Sequence, residues 1–360
     1  MAKIVIEDDH FLKIVPAILD PATSEQHQHA VAAFFKHDVP DFPGWCESLR
    51  ARLPGLAPAR VMFASDQDDL TAKAGDADIV IVESLRIDRA LLAAAPRLVL
   101  VQKFGTLTGN IDLEACRDAG VDIATLRRRG NVAVAEQAFA LLLALAKQVP
   151  SLAGLVERPA LAARGFSIRE RSAHIGYSNF AGITGLRTLQ GATLGIIGLG
   201  EIGRDIARYA RAFDMQVVYH QRRRLADHEE TSLSVRYASL DDLLAASDYV
   251  VVQVPLTDKT RGLLGTREIA RMKRGAMIVN VARAQLIDHD AVVAALESGH
   301  LAGLALDVGY AEPADPQDPL LRLRSGNVIL MPHTAVGSRD NALQDMEELC
   351  TNMWRALAAR

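Results

Sequence analysis

Short apolar runs alternate with longer segments rich in alanine and leucine along most of the chain. Such short runs are typical of buried parallel strands, and the longer segments show the spacing of helices. The alternation predicts an α/β protein in which helices connect parallel strands. The predicted strands lie at residues 60–64, 79–82, 98–102 and 122–125, and again at 193–197, 216–219, 249–254, 276–280, 303–308 and 328–331.

Three stretches of the chain depart from this alternation. Among the first 59 residues only 3–6 are predicted as a strand, and residues 39–45, which contain proline and tryptophan, are predicted as a loop. Residues 131–148 are apolar on nearly every face, which predicts a long packed helix suited to a crossover between two domains. Residues 150–191 show no clear period.

Length and composition limit the class of protein. A chain of 360 residues with 49% hydrophobic and 23% charged residues is typical of a soluble globular protein of about two domains. No run reaches the roughly eighteen apolar residues of a membrane helix, and the N-terminus carries acidic residues where a signal peptide is apolar. We therefore expect a cytoplasmic protein.

Charge and cysteine usage exclude further classes. The net charge of −4 provides no basic field for nucleic acid or an anionic membrane, so neither partner is expected. The three cysteines, Cys46, Cys116 and Cys350, have no metal-ligand or redox spacing and are expected to be small buried hydrophobes. No metal site is predicted.

A glycine-rich turn is the clearest motif. Gly198-Leu-Gly200-Glu-Ile-Gly203 directly follows the predicted strand at 193–197 and opens a segment with helical period. Gly198 permits a tight turn, Gly200 lets the backbone approach a pyrophosphate, and Gly203 lets the helix pack on the strand. The free N–H groups of the helix then bind a diphosphate. The motif favours dinucleotide binding over a purely structural glycine turn.

The end of the next strand indicates which dinucleotide binds. An acidic residue roughly twenty positions after the glycines would bind the ribose 2′-hydroxyl of NAD. The sequence has His220-Gln221-Arg222-Arg223-Arg224 there instead. Guanidinium groups suit a phosphate dianion, so we expect NADP(H), with NAD possible. The alternative is a solvated basic turn.

Three polar residues follow apolar runs late in the chain, namely Arg283, Glu312 and His333. Successive strand ends converge on one crevice in a doubly wound sheet, so distant residues can meet there. A guanidinium binds a carboxylate and polarises a carbonyl, a histidine donates a proton, and a neighbouring carboxylate favours the imidazolium. Together they suit reduction of a 2-oxo acid beside a nicotinamide, although each alone has an ordinary structural explanation.

The order of motifs resembles one known family. Residues 76–340 resemble the D-isomer-specific 2-hydroxyacid dehydrogenases. The matching motifs are Val134-Ala-Glu136, the glycine turn, Val254-Pro-Leu256 with Thr260, Asn280-Val-Ala-Arg283, Ala305-Leu-Asp307-Val308, Glu312-Pro313 and Pro332-His333. This resemblance implies two doubly wound parallel-sheet domains, with a Rossmann coenzyme domain (129–327) inserted in a flavodoxin-like substrate domain (1–128 and 328–360). It also implies a homodimer.

The resemblance implies a role for each motif. Arg283 would bind substrate, His333 would be the acid/base and Glu312 its partner. Residues 103–112 resemble the family's glycine-rich substrate loop, which adds Lys103, Gly105 and Thr106 as substrate contacts. Asp307 and the Val281-Ala282 backbone would face the nicotinamide. The full set of expected coenzyme contacts is Gly198, Gly200, Glu201, Ile202, Gly203, His220, Gln221, Arg222, Arg223, Pro255, Thr260, Val281, Ala282, Asp307 and His333.

The expected activity is NADP(H)-dependent reduction of glyoxylate, hydroxypyruvate or a similar small 2-oxo acid to the D-2-hydroxy acid. Within the class, phosphoglycerate dehydrogenase is less favoured because no regulatory domain follows Arg360, formate dehydrogenase is disfavoured by Glu312, and phosphite dehydrogenase stays open. A nucleotide-sensing corepressor on the same scaffold is the alternative from another class. One departure from the family pattern is Gly309-Tyr310, where an aromatic residue commonly follows the Asp-Val pair directly.

Overall fold

The chain folds around two separate parallel sheets. The structure, a computed structural model, describes residues 1–174, 176, 178–323 and 326–359. Unit 1 comprises Met1–Val132 and the segment from Val336 onward, and unit 2 comprises Ala133–Ala335. The sheets have five and seven strands, all parallel, which confirms the predicted α/β class with two doubly wound domains.

Unit 1 has the strand order β2-β1-β3-β4-β5, which is the flavodoxin-like order. Its buried strands are rich in valine and isoleucine, as expected for a sheet covered by helices on both faces. The elements in chain order are β1 (Ala2–Glu7), α1 (Ile14–Leu19), α2 (Glu25–Phe35), α3 (Phe42–Arg52), β2 (Ala59–Ala64), α4 (Gln67–Ala74), β3 (Ile79–Val82), α5 (Arg89–Ala94), β4 (Leu100–Lys103), α6 (Leu113–Asp118) and β5 (Asp122–Ala124).

The predicted loop at 39–45 is wrong for its second half. Helix α3 begins at Phe42, because the Asp41 side chain accepts a hydrogen bond from Gly44 N and Pro43 occupies the first turn. Proline is favoured there, where its missing N–H would lack a helical partner in any case. The aromatic ring of Phe42 stacks on Phe35 of α2, so this stretch is part of the core.

Unit 2 has the order β12-β11-β10-β9-β6-β7-β8, a Rossmann arrangement with one added strand. Its elements are α7 (Arg129–Lys147), which begins in unit 1, α8 (Val149–Leu152), α9 (Arg158–Ala163), β6 (Thr193–Ile197), α10 (Glu201–Ala212), β7 (Gln216–His220), α11 (Asp227–Leu233), β8 (Arg236–Tyr237), α12 (Leu240–Ala246), β9 (Tyr249–Val252), α13 (Thr266–Arg271), β10 (Ala276–Asn280), a 3₁₀ turn (Ala284–Leu286), α14 (His289–Glu297), β11 (Leu301–Leu306), α15 (Pro319–Leu323) and β12 (Val328–Leu330). Helix α16 (Asp340–Ala358) completes unit 1.

Helix α7 confirms the long helix predicted at 131–148. Within the part of the chain that the structure describes, it is the one helix long and apolar enough to cross a membrane by length and composition. Its Leu145 is fully buried and lies against Gly303 of β11, where an added Cβ would come within 3.2 Å of the leucine side chain. This packing is typical of a core helix.

The unit boundaries differ from the predicted domain boundaries by a few residues. The larger difference concerns residues 328–335, which the sequence analysis grouped with the C-terminal segment of the substrate domain. Val328–Leu330 form β12, which pairs with β11, and the residues that follow as far as Ala335 also belong to unit 2. The consequence is that His333 lies in the same unit as Arg283 and Glu312.

Candidate functional site

The three glycines of the turn after β6 have three different environments. Gly198 has a φ of +99°, and a Cβ there would lie 2.4 Å from the carbonyl oxygen of Gln253. A Cβ on Gly203 would lie 2.4 Å from the Gly198 carbonyl oxygen, so α10 packs directly on the turn. Gly200 has no atom within 4 Å of the corresponding position. Crowding at two glycines and open space at the middle one fit a turn that a pyrophosphate approaches.

Gln253 is a candidate that the sequence analysis missed. It follows β9, whose neighbour β6 precedes the glycine turn, so it lies where the strand order reverses. Among the described residues its Nε2 is buried and has no hydrogen-bond partner. An unpaired buried amide is costly, so it marks a place where a ligand group can bind. The signal was a lone polar residue in the run Val250 to Pro255.

The turn that follows Gln253 is closed by Thr260. Its Oγ1 donates to the Pro255 carbonyl oxygen at 2.7 Å and accepts from Thr257 N at 2.8 Å. Both predicted coenzyme contacts in this segment therefore belong to one compact turn. Glu201 and Ile202, the other predicted contacts near the glycines, form the first turn of α10.

The basic turn after β7 is joined to the glycine turn. Gly198 N donates to the His220 carbonyl oxygen at 2.9 Å, and Leu199 N donates to Gln221 Oε1 at 3.3 Å. Arg222 and Arg223 are exposed, and neither guanidinium makes a hydrogen bond or ion pair with any residue that the structure describes, although the Arg223 carbonyl oxygen accepts from Gln221 Nε2 at 2.7 Å. Their charges are therefore available to an anion beside the glycine turn.

Arg224 has a different environment from the two arginines before it. Its guanidinium donates to both carboxylate oxygens of Glu230 at 2.8 Å, and the Tyr219 hydroxyl donates to the same carboxylate at 2.7 Å. Hydrogen bonds from Arg224 and then Tyr219 lower the pKa of Glu230 to about 2. Arg224 therefore neutralises a buried carboxylate. Of the three consecutive arginines, only Arg222 and Arg223 have a guanidinium without a partner among the described residues.

Arg283, Glu312 and His333 follow β10, β11 and β12, which are neighbours in the sheet. Glu312 Oε2 lies 2.9 Å from His333 Nδ1, and Glu312 Oε1 accepts from Gly309 N at 2.8 Å. These hydrogen bonds, together with the charge of Arg283, lower the pKa of Glu312. The His333 and Glu312 side chains are 42% and 47% exposed, so the pair is open to a ligand.

Two buried polar residues, Asn280 and Asp307, fix the backbone of the Arg283 turn and of the loop after His333. Asn280 donates from Nδ2 to the Arg283 carbonyl oxygen at 2.8 Å and accepts from Ala282 N at 2.9 Å, which shapes the turn after the buried Val281. Asp307, expected to face the nicotinamide, is fully buried.

The Asp307 carboxylate accepts hydrogen bonds from Thr334 N at 3.1 Å and from Ala335 N at 2.6 Å. Both oxygens of Asp307 are thus engaged by the loop that follows His333. His333 itself has a φ of +56°, which a non-glycine residue adopts only where its surroundings impose it.

The predicted substrate contacts Lys103, Gly105 and Thr106 all belong to unit 1. Lys103 ends β4, is buried, and donates its ammonium to the carbonyl oxygen of Glu83. Gly105 is buried and accepts from Leu126 N at 2.9 Å, whereas Thr106 is exposed. The Lys103 ammonium therefore holds the loop after β3 in its own unit. A substrate role for Lys103, Gly105 and Thr106 stays a prediction.

Comparison with known proteins identifies the family. The model described as D-isomer specific 2-hydroxyacid dehydrogenase, NAD binding domain, matches residues 161–335. A glyoxylate reductase of Aeropyrum pernix is 37% identical over 278 residues, which cover 77% of this chain and 79% of that protein. A D-3-phosphoglycerate dehydrogenase of Archaeoglobus fulgidus is 31% identical over 78% of this chain, which spans only 50% of that protein.

The crystal structure of a glyoxylate reductase from Paecilomyes thermophila superposes with a TM-score of 0.55 at 26% identity, covering 98% of this chain and 94% of that chain. Fold, glycine turn and family model together define an oxidoreductase that uses a nicotinamide cofactor. The chain belongs to the D-isomer-specific 2-hydroxyacid dehydrogenase family, and it is an NAD(P)-dependent D-2-hydroxyacid dehydrogenase. The predicted family and the predicted enzyme class are both confirmed.

Proposed function

We propose that the enzyme prefers NADP(H) and reduces a small 2-oxo acid, such as glyoxylate or hydroxypyruvate, to the D-2-hydroxy acid. The observation that carries this proposal is the 2.9 Å contact between Glu312 and His333, one strand away from the exposed Arg283. The glyoxylate reductase relative at 37% identity supports a small oxo acid.

The acid/base role falls to His333. Its Nδ1 is bonded to Glu312, and Nε2 has no partner among the described residues, so Nε2 is the atom that faces a substrate. When bound, the nicotinamide supplies the hydride. His333 donates the Nε2 proton to the carbonyl oxygen, and the Glu312 carboxylate fixes the ring and favours its protonated form. In the reverse direction the neutral ring accepts the hydroxyl proton.

Arg283 anchors the substrate. A guanidinium presents two parallel N–H groups to a carboxylate, and the exposed Arg283 side chain makes one hydrogen bond to the carbonyl oxygen of Ala282 at 2.7 Å. The remaining N–H groups bind the carboxylate of the oxo acid and hold its carbonyl near His333. Asn280 stabilises this arrangement because it fixes the backbone on both sides of Ala282.

The coenzyme preference rests on Arg222 and Arg223. Their exposed guanidinium groups bind the 2′-phosphate of NADP, while His220 stands where an NAD-specific acid would be. The His220 ring is held by a contact between Nδ1 and the Ala238 carbonyl oxygen at 3.0 Å. A homodimer and a cytoplasmic location stay predictions from the sequence.

The test is oxidation of NADPH and of NADH by the purified protein with glyoxylate, hydroxypyruvate and pyruvate, with coenzyme binding measured separately by fluorescence. We expect turnover with at least one oxo acid and a higher kcat/KM for NADPH than for NADH. NADPH binding without turnover would favour the nucleotide-sensing corepressor. Oxidation of 3-phosphoglycerate or phosphite in place of oxo-acid reduction would favour those dehydrogenases within the class.

A further inference from the structure

The Gly309-Tyr310 pair shapes the loop that carries Glu312. Gly309 N donates to Glu312 Oε1, and a Cβ on Gly309 would lie 2.5 Å from the Ala311 carbonyl oxygen and 3.2 Å from Glu312 Cγ. A side chain at position 309 would therefore displace the carboxylate. The aromatic residue of this loop is Tyr310, one position after Gly309.

The Tyr310 side chain binds the segment that follows Arg283. Its hydroxyl donates to the Ile287 carbonyl oxygen at 2.9 Å, and its own carbonyl oxygen accepts from Gln285 Nε2 at 3.4 Å. The ring also packs edge-on against His289, with centroids 4.7 Å apart. Tyr310 thus connects the Glu312 loop to the segment directly after Arg283.

The segment that Tyr310 binds is itself fixed to the loop after β9. Gly262 N donates to the Gln285 carbonyl oxygen at 2.8 Å, and Leu264 N donates to the Leu286 carbonyl oxygen at 3.1 Å. Asp288 N returns a bond to the Leu264 carbonyl oxygen at 3.0 Å. Tyr310 is therefore attached to a rigid support.

The Tyr310 hydroxyl is a hydrogen-bond donor throughout the working pH range. Burial raises the pKa of Tyr310, and the neighbouring carboxylates of Asp288, Asp318 and Asp290 raise it further. The charged groups that act on Glu312 are instead His333 and Arg283. Because the tyrosine does not titrate in this range, a shift of the alkaline limb in a Tyr310 variant reports a change at Glu312 and His333.

We propose that Tyr310 is a positioning residue that holds the Glu312 loop in place relative to the Arg283 turn. It touches no reacting atom and acts through Glu312. The substrate-anchoring guanidinium and the proton-donating pair are thereby kept at a fixed spacing, which hydride and proton transfer to one carbonyl group requires. This inference rests on the roles proposed above for Arg283, Glu312 and His333.

The test compares Tyr310→Phe, which removes only the hydroxyl, with Tyr249→Phe. Tyr249 begins β9, at the opposite end of the sheet from the site, and its hydroxyl is also buried. Loss of one hydrogen bond should lower kcat/KM for the oxo acid about 3- to 10-fold in Tyr310→Phe, mainly through kcat. The alkaline limb of reduction should move to lower pH, whereas NADPH affinity and the Tyr249→Phe profile should match the wild type.

The Glu312→Gln variant separates this inference from the proposed function. It should move the alkaline limb further than Tyr310→Phe does, because the uncharged amide no longer favours the imidazolium. Adding Tyr310→Phe to Glu312→Gln should then move the limb no further. An unchanged limb in Tyr310→Phe, or additive shifts in the double variant, would overturn the positioning role.

An unchanged limb in Glu312→Gln would instead overturn the proposed pairing with His333. Should Tyr310→Phe fold poorly, Gln285→Met provides the same comparison, since it removes the other bond between the two segments while retaining side-chain length. Its limb should also move to lower pH, and a wild-type limb in a folded Gln285→Met variant would count against the inference.

Discussion

The carboxyl edges of the two sheets use polar side chains in opposite ways. In unit 1, the Glu7 carboxylate at the end of β1 accepts hydrogen bonds from the backbone N–H groups of Glu83, Ser84 and Leu85. Arg128 lies 4.2 Å above the ring of Phe104. Together with the Lys103 bond to Glu83, these contacts use charged groups to hold the unit's own loops.

In unit 2 the corresponding edge presents charges outward. The Arg222 and Arg223 guanidinium groups have no partner in the described chain, and the side chains of Glu312 and His333 are each more than 40% exposed. The buried polar residues there, Asn280 among them, hold the backbone that displays these groups. The charged groups at the edge of unit 1 are thus used up in holding its loops, whereas at the edge of unit 2 several charged groups stay exposed to a ligand.

The largest expected effect is that of removing His333. His333→Ala should lower kcat/KM for oxo-acid reduction about 10²- to 10⁴-fold at every pH, because general acid catalysis typically contributes that much. Stability should change by less than about 0.5 kcal/mol, since the side chain is exposed. The matched control is His29→Ala, an exposed histidine on α2. Near-normal reduction by the His333 variant would remove it from the mechanism.

Arg283→Lys should have the next largest effect. Lysine keeps the charge but loses the planar two-pronged geometry, so kcat/KM for the oxo acid should fall about 10- to 10⁴-fold. Coenzyme affinity, measured by fluorescence titration, should stay close to that of the wild type. Arg267→Lys on α13 is the control, because that arginine pairs with Asp241 and Glu268 on the surface. Normal oxo-acid kinetics would exclude Arg283 from substrate binding.

Changing the basic turn should alter coenzyme preference by a smaller factor. Replacing Arg222 and Arg223 by aspartate should lower the ratio of NADPH to NADH kcat/KM about 10- to 100-fold, since charge-assisted hydrogen bonds to phosphate are lost. Arg224→Gln should instead lower stability, because it leaves Glu230 without its cation. The same ratio in the wild type and the double aspartate variant would mean that this turn is merely solvated.

The smallest effect concerns stability at the unit 1 edge. Burial would raise the pKa of Glu7, but hydrogen bonds from Leu85, Ser84 and Glu83 lower it overall. A carboxyl whose pKa is lower in the folded state stabilises the fold above its unfolded pKa of about 4.3, and this contribution is lost as pH falls through the folded-state pKa.

Glu7→Gln should therefore cost about 1–2 kcal/mol at pH 7 and less near pH 4. Urea unfolding at both pH values, with the exposed Glu47→Gln as control, measures this difference. Hydrogen exchange at residues 83–85 should also accelerate in the variant, and unchanged exchange would contradict the assigned role of the carboxylate.

The sequence predicted the central strands because they are continuous apolar runs. Residues 79–82, 193–197 and 276–280 match the observed strands, as expected where both faces of a parallel strand are covered. It failed for α3, where proline and tryptophan suggested a loop although the proline stands at the helix start. It also gave no indication of β8, whose two residues are too short to form a pattern.

The site was partly predictable for a topological reason. Arg283, Glu312 and His333 lie in the loops that follow three parallel strands, and the α/β alternation predicts that such loops lie at one edge of a sheet. What the sequence could not provide was the pairing of charges. Nothing in the run of arginines distinguishes Arg224, because its partner Glu230 is selected by the path of the turn and the position of Tyr219.

The split of unit 1 into two chain segments has a consequence for biosynthesis. Helix α16 places Met346, Leu349 and Met353, all fully buried, in the same core as Ile4 and Ile6 of β1. Domains generally fold as units while the chain emerges from the ribosome. Unit 2 is contiguous in sequence, so all of it has been synthesised before residue 340. The core of unit 1 is still incomplete at that point, because α16 has not yet been synthesised. During that interval the apolar surface that α16 later covers is exposed to water, which favours aggregation of the nascent N-terminal segment.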